Sequence, residues 1–181
     1  MKKKASLGLL VFTLLLLTSP APASNLGRVR MKVVEVVAGD TLRVEWKGRE
    51  ETLLLLGVDS PPAQWGPALL RGARSLKIDP RTLLKMGMEA RRFVQNLIRP
   101  DGWVYVEFDW IKRDPQGRLM GYVYVRGGML NALLLEKGYA RARLSFPFPM
   151  RPKKDWILSL FPYLERKARG ARLGLWRYGR F

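Results

Sequence analysis

Three features of the chain predict an α+β, mainly β fold: a five-stranded barrel of OB type with about three flanking helices. Five short runs carry strand-like apolar patterns, a helical segment separates the third run from the fourth, and further helical segments follow the fifth. No repeat or low-complexity stretch interrupts that order.

The first run, "RVRMKVVEVV", alternates well enough for a strand, and "DTLRVEW" and "ETLLLLGV" give two more joined at Lys47-Gly48. The segment from Pro61 to Lys85 is turn-rich and then basic, with Arg71, Arg74, Lys77 and Arg81, and is expected to be an inserted loop with one helical turn. In "MEARRFVQNLI", Phe93, Val94, Leu97 and Ile98 recur at helical spacing. Glu89 falls in the first turn, where a negative charge suits the dipole, and Pro100-Asp101-Gly102 stops the helix. "WVYVEFDW" and "LMGYVYV" are strands around the turn "RDPQGR". Their aromatics Trp103, Tyr105, Phe108, Tyr122 and Tyr124 are expected mostly in the core or on its flank. "MLNALLLEKGYA" sets Leu130, Leu133 and Leu134 on one helical face and Gly138 at its end. After the proline-marked loop "RLSFPFPMRP", a last helix runs to about Arg172, with Pro162 opening or kinking it.

The opening "MKKKASLGLLVFTLLLLTSPAPAS" has a lysine cluster, an apolar run and small residues in an A-x-A arrangement. It reads as a cleavable secretory signal over residues 1–23, with an uncleaved anchor as the alternative. Residues 24–181 are then expected to form one domain, with the insertion at about 62–85, exported to the periplasm or the medium.

Losing Lys2, Lys3 and Lys4 with the signal lowers the formal net charge from +18 to +15. So basic a chain favours anionic partners: nucleic acid first, an anionic envelope surface second. The sequence has no Cys and no His, so disulfide partners, thiolate nucleophiles, histidine-based triads and the usual zinc ligands are excluded. Carboxylates, hydroxyls, lysines and arginines are the remaining inventory, and any metal should be a hard cation held by oxygen. A monomer is expected.

The blocks "AGDTLRV", "LLLGVDSP", "RDPQGRLMGYVYV", "MLNALLLEKGYARA" and "ARLGLW" resemble, in that order, those of the staphylococcal nuclease (thermonuclease) family, from about Val29 to Trp176. The resemblance implies an OB-fold barrel and, in active members, calcium-dependent hydrolysis of DNA and RNA. It places Asp40 and Asp59 at the calcium-binding aspartates, Ser60 where a backbone carbonyl completes the metal site, and Arg118 at an arginine that contacts the scissile phosphate. Three positions depart from the pattern: Leu54 stands where the family carries its other arginine, Pro62 where it carries the glutamate that handles the attacking water, and Ala38 where the first block usually carries another acid.

Each loss has a cost. Phosphodiester cleavage depends on cations aimed at the developing charge and on an oriented water. Removing a general base costs about 10²–10⁴ in rate, and removing a pre-aimed donor about 10²–10³. Two aspartates and a carbonyl leave much of a Ca²⁺ shell to water and substrate, so weak Ca²⁺ binding is expected. Two function classes follow: an exported, metal-dependent endonuclease with a reduced site, or an OB module that grips single-stranded nucleic acid or an envelope surface without cutting. Arg71, Arg74 and Arg113 are candidate nucleic-acid contacts, and Arg71, Arg74, Asp79 and Glu89 are candidate replacements at the depleted site. A third reading turns Trp156, Phe161, Trp176 and Phe181 of the C-terminal stretch towards lipid.

Overall fold

The computed structural model describes residues 27–98, 102–144, 155–179 and 181. The predicted signal, Pro100-Asp101 and most of "RLSFPFPMRP" lie outside them. Strands β1 (Arg28–Ala38), β2 (Thr41–Trp46) and β3 (Arg49–Leu55) form an antiparallel meander. Its second turn sits on Lys47 and Gly48, at φ 54° and 73°. Two left-handed residues are what a two-residue hairpin needs to match strand twist. A short β4 (Val58–Asp59) follows, then helices α1 (Pro67–Leu76) and α2 (Pro80–Leu97).

β5 (Trp103–Arg113) returns antiparallel to the first half of β1, and β6 (Leu119–Val125) pairs antiparallel with β5. Bulges after Val33 and Val36 bend β1, so that its two halves serve different neighbours. β6 then meets β3 in parallel, Leu53 to Leu119 and Leu54 to Met120, which closes five strands into a barrel. Its interior is apolar, with Met31, Leu42, Val44, Leu53, Val106 and Leu119 fully buried. The OB-type fold expected from the run order is therefore present.

The chain continues through β7 (Gly128–Met129), α3 (Leu130–Glu136), β8 (Arg141–Ala142), α4 (Ile157–Gly170) and a 3₁₀ turn (Gly174–Tyr178). Leu130 and Leu134 are buried as expected, and Gly138, at φ 76°, ends the segment. Asn131, on the same helix, is fully buried; its Oδ1 accepts from Val123 N and its Nδ2 donates to Leu56 O, tying β6 to the turn after β3. Pro162 lies inside α4 rather than opening it.

Three expectations need correction. The segment 62–85 is mostly helical where a loop with one helical turn was expected: α1 fills Pro67–Leu76 and α2 begins at Pro80. Its prolines are starters: Pro67 and Pro80 each occupy a first helical position, where the missing N–H leaves no bond unmade. Asp79 caps α2 by accepting from Thr82 N at 2.8 Å. Leu69 and Ala73, one helical turn apart, pack with Leu83, Met86 and Ala90 in a second core.

Glu89, as a consequence, sits in the middle of α2 and bonds Arg177 and the Tyr178 hydroxyl. The lipid-facing reading also fails. Phe161 is buried in the barrel core and Trp176 and Phe181 in the second one, with Trp156 alone of the four exposed. Of the strand aromatics, Phe108 and Tyr122 are buried, whereas Trp103 is half exposed beneath the Arg30 guanidinium.

Candidate functional site

A cavity of about 640 Å³ opens where the β1–β2, β3–β4 and β5–β6 turns meet. Asp40, Asp59, Ser60, Arg118, Leu54 and Pro62 all line it, so the family-matched positions, kept and departed alike, share one cleft. Thr41, Asp114 and Arg143, which the sequence reading did not single out, line it too.

Asp40 follows Gly39 at the tip of the first hairpin. A Cβ at Gly39 would fall 2.3 Å from Ser60 Oγ and 2.9 Å from Ala90 Cβ, so only glycine lets this turn lie against β4 and α2. The approach lets Asp40 Oδ2 accept from Ser60 N at 2.8 Å while Oδ1 accepts from the Thr41 hydroxyl at 2.9 Å. Ser60 is pinned in turn, its hydroxyl donating to Tyr139 O at 2.6 Å.

Burial, with a smaller contribution from neighbouring Asp59, pushes the Asp40 carboxyl up to about 6 against the lowering effect of its two hydrogen bonds. No ion pair joins Asp40 to a cationic side chain among the described residues. A desolvated carboxylate beside a second carboxylate, with no protein cation of its own, is a setting that a hard divalent cation relieves.

Asp59 is placed by the β4–β8 pairing, which sets it opposite Arg141. Arg141 Nη2 lies 2.6 Å from Asp59 Oδ2, and Arg143 Nη1 lies 3.7 Å from Oδ1. The described residues contain no group of three or more acids placed to hold a metal.

Arg118 is oriented by Asp114. One Asp114 oxygen accepts from the backbone N–H groups of Gln116 and Arg118 at 3.0 and 2.9 Å; the other accepts from Arg118 Nε at 2.7 Å. The aspartate is almost buried and the guanidinium half exposed; Arg118 Nη2 also lies 2.6 Å from an Asp114 oxygen and 3.3 Å from Gln116 Oε1, so the Nε and Nη2 side of the guanidinium is held while the group still lines the cleft. Asp-Pro-Gln-Gly is turn chemistry of the kind in which an aspartate folds onto nearby amides, and that signal could have found Asp114. No comparable signal marks Arg141 and Arg143, whose approach to Asp59 depends on a long-range strand pairing.

The remaining candidates scatter. Arg71 lines an adjoining cavity of about 250 Å³, together with Asp59, Ser60, Pro62 and Arg141. Arg74, Asp79 and Glu89 line neither cavity. Arg113 lies across the β5–β6 turn in another groove, where Glu51 grips it through both oxygens at 2.8 and 3.0 Å.

Pro62 turns towards the cleft, while its carbonyl rests on α2 so closely that a Cβ at Gly87 would lie 2.0 Å from it. Leu54 is only partly buried on the cleft wall, which leaves no carboxylate at 62 and no guanidinium at 54.

A closed five-stranded barrel with carboxylates and arginines gathered in one cleft defines the class as an OB-fold protein. Residues 52–178 match the staphylococcal nuclease homologue family, and the chain belongs to that family. Asp59, Pro62 and Arg118 fall inside the match, and Asp40 precedes it. Similar proteins include an uncharacterised protein of Methanocaldococcus jannaschii, 33% identical over 81% of this chain and 71% of its own length. A thermonuclease of Staphylococcus hyicus is 30% identical over 70% of this chain and 67% of its own. Endonuclease YncB of Bacillus subtilis is 27% identical over 82% of this chain, which spans 62% of that protein.

Proposed function

We propose that the protein hydrolyses phosphodiesters of nucleic acid with a divalent cation and a reduced set of helpers. The observation that carries this reading is the convergence of Asp40, Asp59 and Arg118 on one cleft. Asp40, Asp59 and the Ser60 carbonyl would hold Ca²⁺, which when bound polarises a phosphate oxygen and a water. The chain's own part is orientation and charge. Arg118, held at Nε and Nη2 by Asp114, would turn the free side of its guanidinium to a non-bridging oxygen. With no carboxylate at position 62, the attacking water is left without a protein base, so turnover is slow.

A second reading, a module that binds single strands without cutting, is favoured by the same two positions, Leu54 and Pro62. Single-strand preference, a monomeric state and export belong to this proposal. The OB barrel is the ground for the first, the signal-like opening for the last, and the monomer is an expectation from the single domain. Incubating single-stranded DNA with the protein, in Ca²⁺ or in chelator, separates the readings. Slow cleavage lost in chelator and in Asp40→Ala supports the enzyme; binding without any cleavage supports the module.

A further inference from the structure

We infer that Arg143 supplies the second guanidinium of the cleft in place of the arginine missing at position 54, so that a phosphodiester is held between Arg118 and Arg143. The inference rests on the phosphodiesterase reading and names how that site would grip its substrate.

Arg143 and Leu54 line the same cavity as Arg118. Arg143 follows directly on β8, and its backbone N–H donates to Gly57 O at 2.9 Å, which fixes it beside the β3–β4 turn. The two arginines around Ala142 divide the work. Arg141 makes the short 2.6 Å contact to Asp59 and lines the adjoining cavity instead. Arg143 stands 3.7 Å from Asp59, beyond hydrogen-bond length, with its side chain 59% exposed against 34% for Arg141.

Asp59 therefore has a close counter-ion without Arg143. The Arg143 fork of N–H donors keeps its capacity for a tetrahedral oxyanion, the geometry in which arginine outperforms a point charge. A phosphate entering the cleft would meet Arg118 from the β5–β6 turn and Arg143 from the β8 end. That restores from a different strand the two-sided grip which Leu54 removes.

The test is exchange of position. Arg143→Ala is expected to lower chelator-sensitive cleavage of single-stranded DNA about a hundredfold, the usual worth of one aimed donor. In chelator, binding of a short fluorescent oligothymidine by this variant should lose about 0.7 from its salt slope, one phosphate contact. Adding Leu54→Arg to Arg143→Ala should recover at least about tenfold of the lost cleavage, in keeping with a donor's worth. Adding it to Arg141→Ala should recover nothing, because Arg141 faces the other cavity.

Unchanged cleavage and slope in Arg143→Ala overturn the inference, as does a loss that a folded Leu54→Arg, verified by melting, leaves unrepaired. If Leu54→Arg does not fold, Arg143→Lys decides, since it keeps a charge beside Asp59 without the fork. A drop of at least about tenfold supports the clamp, and wild-type cleavage overturns it. Absence of any chelator-sensitive cleavage in the unmodified protein counts against the phosphodiesterase reading alone, and the salt slope in chelator still decides the role of Arg143.

Discussion

Asp40 is the residue at which stability and proposed chemistry conflict. An acid whose pKa is higher folded than unfolded binds its proton more tightly in the native state. The favourable contribution is complete below the ordinary value of 3.8 and is lost as pH rises through about 6. At neutral pH the ionised carboxylate works against folding, by about 3 kcal/mol for a shift of this size. Asp40→Asn keeps the acceptor for Ser60 N and removes the charge. It should raise the melting temperature at pH 7 to 8, leave it unchanged near pH 3, and abolish Ca²⁺-dependent cleavage; a lower melting temperature at pH 7 would contradict the account. Pro62→Glu tests the opposite edge of the cleft. A carboxylate there should raise chelator-sensitive cleavage at least about a hundredfold, the low end for a general base. An unchanged rate in a folded variant would show that water is not oriented from this wall.

Among the elements, α2 controls how closely the helical layer approaches the site. Gly87 lies against the Pro62 carbonyl, so Gly87→Ala must push α2 away from the segment that follows Asp59 and Ser60. Overpacking of this kind costs about 1–3 kcal/mol. Urea unfolding should show that loss together with weaker single-strand binding; unaltered stability would mean that the segment yields freely. This packing marks the limit of what the sequence revealed. The barrel strands were legible because alternation at Met31, Val33, Leu42 and Val44 is a local pattern that burial preserves. Asp40, Asp59 and Arg118 were legible because short blocks around them keep their order. α1 was not, since Pro67 and Pro80 punctuate loops and helix starts alike and only tertiary contact distinguishes the two. Arg141 and Arg143 were illegible for another reason: nothing local predicts that Ala142 pairs with Val58.

At the scale of the whole molecule, the excess of basic residues sets long-range attraction. Binding of oligothymidine in chelator should weaken smoothly with added salt, with a slope near −0.7 for each phosphate contacted and little dependence on base sequence. A flat response between low and physiological salt would remove nucleic acid as the partner. The parallel pairing of β3 with β6 has a temporal consequence. Leu53 meets Leu119 only after two helices and two further strands have been made, and the β8 arginines come later still. Such distant pairings form slowly because the intervening chain must first be closed into a loop. While the chain emerges from a ribosome, its early half carries Asp40 and Asp59 with neither Arg118 nor Arg143 opposite them. Whatever the two sides of the cleft do together therefore waits until nearly the whole chain has been made.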